Sequence, residues 1–164
     1  MTVKLGGFLP TSKEDIKSLE NALGRKLPAG YIDFLLFYNG AKPATNIFYV
    51  SEDTDCGVNR FIPCKDVVKE LKYIDYISED IIPIAWAECG NYVLLNLSNG
   101  KIFFWDHEIP DKQIELALGI LEFLEKLKPF DTNSVELKEE QVNSVWIDQD
   151  FLKNLWVLGS ELNF

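Results

Sequence analysis

A chain of 164 residues, 47% of them apolar, has room for one domain with a sizeable core, and 16 basic against 26 acidic residues leave it a formal net charge of -10. That charge argues against a general nucleic-acid or anionic-lipid surface, because both are polyanions. No apolar run approaches the length of a bilayer span and residues 1–10 hold too short a one for a secretory signal, so a cytoplasmic protein is expected.

Taken in chain order, Thr11, Ser12, Lys13 and Glu14 offer a capping box, and Ile16, Leu19 and Leu23 recur at helical spacing before Gly24, which can take the left-handed conformation that ends a helix. Pro28 suits the first turn of a second helix, where Tyr31, Phe34, Leu35 and Tyr38 fall at i, i+3, i+4 and i+7 and Asn39-Gly40 can close the run. The short connection packs the two helices side by side. Residues 46–50 read as a strand, 51–59 as a polar loop, and Phe61-Ile62 as a second strand ended by Pro63. A helix then buries Val67, Leu71 and Ile74.

The strongest strands are 82–85, 92–97 and 101–105, the last two joined by a Ser98-Asn99-Gly100 hairpin turn, with Ile114 to Leu116 as a short edge strand. Ile120, Phe123, Leu124 and Leu127 form a helical stripe that covers a sheet face before Pro129. The fold class is therefore α+β, a mostly antiparallel sheet flanked by helices, with an N-terminal helix pair and a C-terminal helical extension, in one domain over 1–164. The extension, 131–164, contains Val145, Trp146, Ile147, Phe151, Leu155 and Trp156 and is too apolar for a disordered tail. It docks on the domain as one or two extra helices or binds a partner.

Chemistry-bearing constellations are few. Cys56, Cys64 and Cys89 are odd in number and widely spaced, which argues for reduced, mostly buried thiols and against a disulfide framework or a zinc knuckle. Glu52, Asp53, Asp55 and Gly57 share part of a calcium-loop pattern but lack its later ligands, and no glycine run cradles phosphate. The single histidine, His107, lies between Asp106 and Glu108, which could keep it charged for acid or base work, yet no serine or cysteine is placed by sequence as its nucleophile. No catalytic residue, metal or cofactor is assigned. Trp105 alternates with Phe103 and belongs to the core, whereas Trp86, Trp146 and Trp156 serve either burial or an interface.

Charge is unevenly placed: residues 1–42 hold six basic and four acidic groups, for +2, and residues 75–125 hold ten acidic groups against Lys101 and Lys112, for -8. Acid gathered around the hairpin steers a basic partner, or serves solubility alone.

The run Leu23-Gly24-Arg25-Lys26-Leu27-Pro28-Ala29-Gly30-Tyr31-Ile32-Asp33-Phe34-Leu35, ending in Asn39-Gly40, resembles the opening motif of the SUKH superfamily, the Smi/Knr-like proteins. Ile82-Pro83-Ile84-Ala85 with Gly90-Asn91-Tyr92-Val93-Leu94-Leu95-Asn96-Leu97 and Gly100-Lys101-Ile102-Phe103-Phe104-Trp105-Asp106-His107-Glu108 is similar to that family's central hairpin. The resemblance covers about residues 12–128. It departs at Trp86-Ala87-Glu88-Cys89-Gly90-Asn91, where the family more often carries a turn rich in glycine and aspartate. Bacterial members resemble immunity proteins, which implies a non-catalytic protein that neutralises a cognate toxin, a nuclease or deaminase, by occluding its basic active surface. Joined to the charge pattern, the partner-binding candidates are Glu52, Asp53, Asp55, Trp86, Glu88, Asp106, Glu108 and Asp111. Two other readings stand beside it: a regulatory or scaffold module of the Smi/Knr type, and an enzyme built on His107 with Asp106 or Glu108.

Overall fold

The structure is a computed structural model that describes residues 3–52 and 54–130. Asp53 and residues 131–164, with the expected docked helices and Trp146 and Trp156, lie outside the described residues. Among the described residues are four α-helices and eight strands, an antiparallel sheet flanked by helices, and the α+β class follows.

Strand β1 (Leu5–Gly6) precedes helix α1 (Lys13–Leu23), whose capping box sits one residue later than the sequence pattern puts it. Ser12 is the extended cap residue: the Asp15 amide donates to Ser12 Oγ (3.1 Å) and the Ser12 amide donates to Asp15 Oδ2 (3.0 Å). Burial of Ile16 and Leu19 fixes the helix phase, which makes Asp15 rather than Glu14 the residue facing back to the cap. Gly24, at φ 66°, ends the helix.

Helix α2 (Ala29–Tyr38) starts immediately after Pro28, whose carbonyl accepts from the Tyr31 and Ile32 amides. Tyr31, Phe34 and Leu35 are buried as their spacing requires. Tyr38 is 40% exposed, since the chain leaves the helix there, and its ring meets the more exposed Phe8 edge-to-face at 6.3 Å. Strand β2 (Lys42–Pro43) then pairs with β1.

Six strands follow in one sheet whose spatial order is the chain order: β3 (Ile47–Ser51), β4 (Thr54–Phe61), β5 (Ile81–Ala87), β6 (Tyr92–Asn96), β7 (Ile102–Trp105) and β8 (Gln113–Ala117). Every neighbouring pair is antiparallel. The expected loop at 51–59 is corrected: most of it is β4, paired on both sides. Cys56, Val58 and Phe61 are buried, and the polar Asn59 satisfies its amide by donating to the Ala87 carbonyl at 3.0 Å, so polar composition conceals an interior strand.

Between β4 and β5 the expected helix is a single turn, α3 (Val67–Glu70), continued by a tighter turn at Leu71–Tyr73; Val67 and Ile74 are buried and Leu71 half-buried. Strand β8 is the expected edge, and helix α4 (Ile120–Lys126) buries Ile120 and Phe123. The Phe123 ring lies 5.5 Å from Phe48 of the edge strand β3, which lies 5.8 Å from Phe104 of β7, so one aromatic cluster joins one edge of the sheet to the strand beside its opposite edge. After α4, Lys128 exchanges two backbone hydrogen bonds with Ile47, at 3.0 and 2.7 Å.

Trp86 and Tyr92 meet a buried carboxylate that the sequence does not single out. Glu70, 7% exposed, accepts from the Trp86 indole N–H (2.8 Å) and the Tyr92 hydroxyl (2.9 Å) through Oε2, and so fastens α3 to β5 and β6. Burial, and then the Glu70 bond and charge, push the Tyr92 phenol up to about 12.

Three measurements test these joints. The Ser12 hydrogen bonds hold the Asp15 carboxyl below its ordinary value, so its contribution is complete above the usual carboxylate range and is lost as pH falls through the lowered value. Asp15→Asn therefore destabilises at neutral pH and matches wild type in strong acid, read by urea titration at both. Tyr31 is buried with no hydroxyl partner among the described residues, so Tyr31→Phe leaves stability unchanged or raises it by up to about 1 kcal/mol. Glu70→Ala strands an indole N–H and a phenol O–H at a cost of about 3 kcal/mol in guanidinium denaturation; Glu70→Gln keeps an acceptor, costs less, and lets Tyr92 titrate lower.

Candidate partner-binding site

Parity decides where the loops go. In an antiparallel meander the connections β3–β4, β5–β6 and β7–β8 all fall at one end of the sheet, and each of the three carries acidic residues near its strand ends. Between them the structure holds a recess of about 350 Å³. Val50, Phe104 and Ile114 supply apolar wall, and Asp55, Glu88 and Asp106 supply carboxylates, with Lys112 beside them.

The β5–β6 connection is a tight turn, Glu88–Gly90, in which Cys89 takes φ 59° and Gly90 φ 82°. A cysteine here occupies a left-handed position that glycine or asparagine adopts at lower cost. The turn is closed by the Ala87 amide donating to the Asn91 carbonyl at 2.9 Å. Glu88 reaches across to β4, where its Oε2 accepts from the Gly57 amide at 3.1 Å. A Cβ on Gly57 would stand 2.6 Å from the Glu88 carboxyl carbon, so the glycine is what lets the carboxylate approach.

Asn91, 8% exposed, ties this turn to the β7–β8 loop. Its Oδ1 accepts from the His107 amide (3.1 Å) and lies 2.8 Å from His107 Nδ1. The backbone amide can only donate, which fixes that atom as oxygen, and Nδ1 must then carry the hydrogen. Asp106 Oδ1 accepts from the Glu108 amide at 2.9 Å, shaping the start of the same loop, and lies 3.8 Å from His107 Nδ1. His107 is thus held by the Asn91 side-chain amide, with the Asp106 carboxylate beyond hydrogen-bond distance.

Of the sequence candidates, Asp55, Glu88 and Asp106 come together on the recess wall. Asp55 is a correction in kind: it belongs to strand β4, opposite Tyr49, and to no loop. Glu108 and Asp111 are exposed on the β7–β8 loop, off the wall, and Glu52 is exposed at the β3–β4 tip. Trp86 stands apart from the wall, its indole bonded to Glu70. Trp105 is buried, as its alternation with Phe103 implies, and its indole N–H donates to the carbonyls of Pro110 (3.1 Å) and Asp75 (3.3 Å). Sequence reasoning missed Asn91, Ile109 and Lys112 as parts of the site; the one available signal was the position of Asn91 directly after a glycine turn.

The arrangement suits a cation. Among the described residues no group of three His, Cys, Asp or Glu side chains is placed to hold a metal, and no helix is long and apolar enough to cross a membrane. All three cysteines are free; Cys56 and Cys64 are buried, and burial pushes both thiols up to about 11, which keeps them protonated.

Comparison with known proteins bears on the chain as a whole. The SMI1 / KNR4 family (SUKH-1) model matches residues 10–126, from the approach to α1 to the last residue of α4. The SPbeta prophage-derived uncharacterized protein YokK of Bacillus subtilis (strain 168) is 30% identical over 171 aligned residues, covering 87% of this chain and 88% of that protein. With both helices of the opening motif and all six strands of the sheet inside the matched span, the chain belongs to the SMI1 / KNR4 family (SUKH-1).

Proposed function

We propose that this chain is a non-catalytic, protein-binding domain of the immunity type, which works in the cytoplasm by neutralising a cognate bacterial toxin, a nuclease or deaminase, through occlusion of the toxin's basic active surface. Membership of the SMI1 / KNR4 family is consistent with an immunity-type protein, and the similar Bacillus protein is of prophage origin. The observation that carries the reading is the convergence of Asp55, Glu88 and Asp106 on one recess, with Glu108 and Asp111 exposed beside it. Surfaces that grip nucleic acid are rich in Lys and Arg, and an acidic face competes for them.

A regulatory or scaffold role of the Smi/Knr kind is the second reading, and a second contact surface favours it: Phe8, Leu9, Phe37 and Tyr38 are all exposed around the end of α2, far in sequence from the acidic loops. A toxin gene adjoining this one distinguishes the two, because immunity requires a co-inherited target.

The decisive experiment is capture of the product of a neighbouring toxin gene, followed by charge reversal. Asp106→Lys, Glu108→Lys and Asp111→Lys together lower affinity for the toxin, on the order of tenfold or more at low salt, and flatten its salt dependence. Unchanged affinity in a variant with a native circular-dichroism spectrum removes this site.

A further inference from the structure

We propose that the recess between the β3–β4, β5–β6 and β7–β8 connections is a socket for a single arginine side chain projecting from the partner. The inference rests on the partner-binding reading and names what that partner presents. Carboxylates alone do not separate a site from a solvated acidic face; here they share a recess floored in part by the buried apolar side chains of Val50 and Phe104. Phe104 and Ile114 offer hydrocarbon to the stem of a long side chain, and Asp55, Glu88 and Asp106 come from three different chain segments, so a guest head group in the recess has acceptors on separate elements.

That geometry selects guanidinium over ammonium. Arginine presents five donors in a planar fork and is less strongly hydrated than lysine, so it tolerates an apolar floor while serving several acceptors at once. The acceptors are held in place beforehand: Glu88 is bonded to the Gly57 amide and Asp106 to the Glu108 amide, each through one oxygen, which leaves the other oxygen of each carboxylate for a guest.

Lys112 on the same wall makes no ion pair among the described residues. It partly neutralises the empty rim and competes with the guest. The socket therefore carries its own weak competitor, which a fork with better geometry displaces.

The test needs no toxin. The full-length ¹⁵N-labelled chain is titrated by NMR at low ionic strength with N-acetyl-arginine amide, and in parallel with the lysine and leucine counterparts. The expected result is a saturable shift of the Gly57, Asn91, His107 and Ile109 amides with the arginine probe, weakened about fivefold by Asp106→Asn and strengthened severalfold by Lys112→Met. Asparagine retains the acceptor that shapes the loop, the spectrum itself reports whether the variant folds, and Asp55→Asn on the exposed end of β4 gives the same reading independently. The socket is overturned by the absence of a saturable shift, by a lysine or leucine probe that binds as tightly, or by shifts concentrated on the exposed Glu79 loop instead. A chain that binds the arginine probe yet neutralises no toxin overturns the immunity reading and leaves the socket standing; one that neutralises its toxin and ignores the probe does the reverse.

Discussion

One buried amide holds the helical half of this molecule to its sheet. Asn39, 4% exposed, accepts from the Cys64 amide at 2.7 Å through Oδ1, while its Nδ2 approaches the Pro10 and Leu9 carbonyls at 3.4 and 3.5 Å and its own carbonyl accepts from the Leu9 amide at 2.8 Å. The N-terminal arm, the end of α2 and the crossover after β4 thus meet at one side chain. A buried primary amide with both ends satisfied is costly to move, because any displacement leaves donors or acceptors unpaired in a medium without water. Gly40 completes the joint at φ 66°, where a Cβ would press on Pro63 at 3.1 Å, and its carbonyl accepts from Arg60 Nε at 2.6 Å. Arg60 in turn donates to the Gly7 carbonyl at 3.1 Å, so a strand residue reaches past the helix end to the N-terminal arm. In the sequence Asn39-Gly40 reads as a helix stop. In the structure it sets the angle at which the helix pair meets β4, and through β4 the position of the hairpin tip that walls the recess.

Periodicity made the helices and most of the sheet legible. Tyr31, Phe34 and Leu35 on α2, Ile120 and Phe123 on α4, and the three apolar strands ending at Ala87, Asn96 and Trp105 carry a burial signal that their own spacing displays. What failed did so where burial is decided by neighbours. Strand β4 alternates imperfectly because its register shifts between Val58 and Arg60, and Gly57 inside it serves a contact with Glu88 made 31 residues away in sequence. Glu70 reads as a solvated helix residue, and only the fold brings an indole and a phenol to it. The capping box slipped by one position because Thr11 and Ser12 are both competent caps and tertiary burial of Ile16 chose between them.

The candidate site was legible in its composition and illegible in its geometry. Excess acid between residues 75 and 125 is visible by counting, yet counting cannot separate Asp106, on the wall, from Asp111, which is exposed off it. The missing piece was the length of β4. With β4 starting at Thr54, Asp55 stands on a ladder rung opposite Tyr49, at the same sheet end as Glu88 and Asp106; with that segment read as a nine-residue loop, from Ser51 to Asn59, its place is undefined. Trp86, which the sequence leaves between burial and an interface, stands off the recess wall, and its indole N–H is bonded to a carboxylate that only the fold brings to it.

The separation of charge into two populations bears on the proposal that this chain selects a basic partner. A net charge of -10 attracts any cationic protein, and over distances beyond about 10 Å at 0.1 M salt the surrounding ions erase the difference between one acidic residue and another. Exposed groups such as Glu79, Glu108 and Asp111 therefore raise the rate of encounter without choosing the partner. Choice requires carboxylates fixed in position and partly withdrawn from water, where misplacing a cation leaves charges desolvated and unpaired. Glu88 held by the Gly57 amide and Asp106 by the Glu108 amide are fixed in position, and Asp106 is also half-buried. The strained Cys89 turn is best understood in the same terms: it places Glu88 and Asn91 on opposite sides of one tight bend, and the conformational cost is carried where the sheet can hold it.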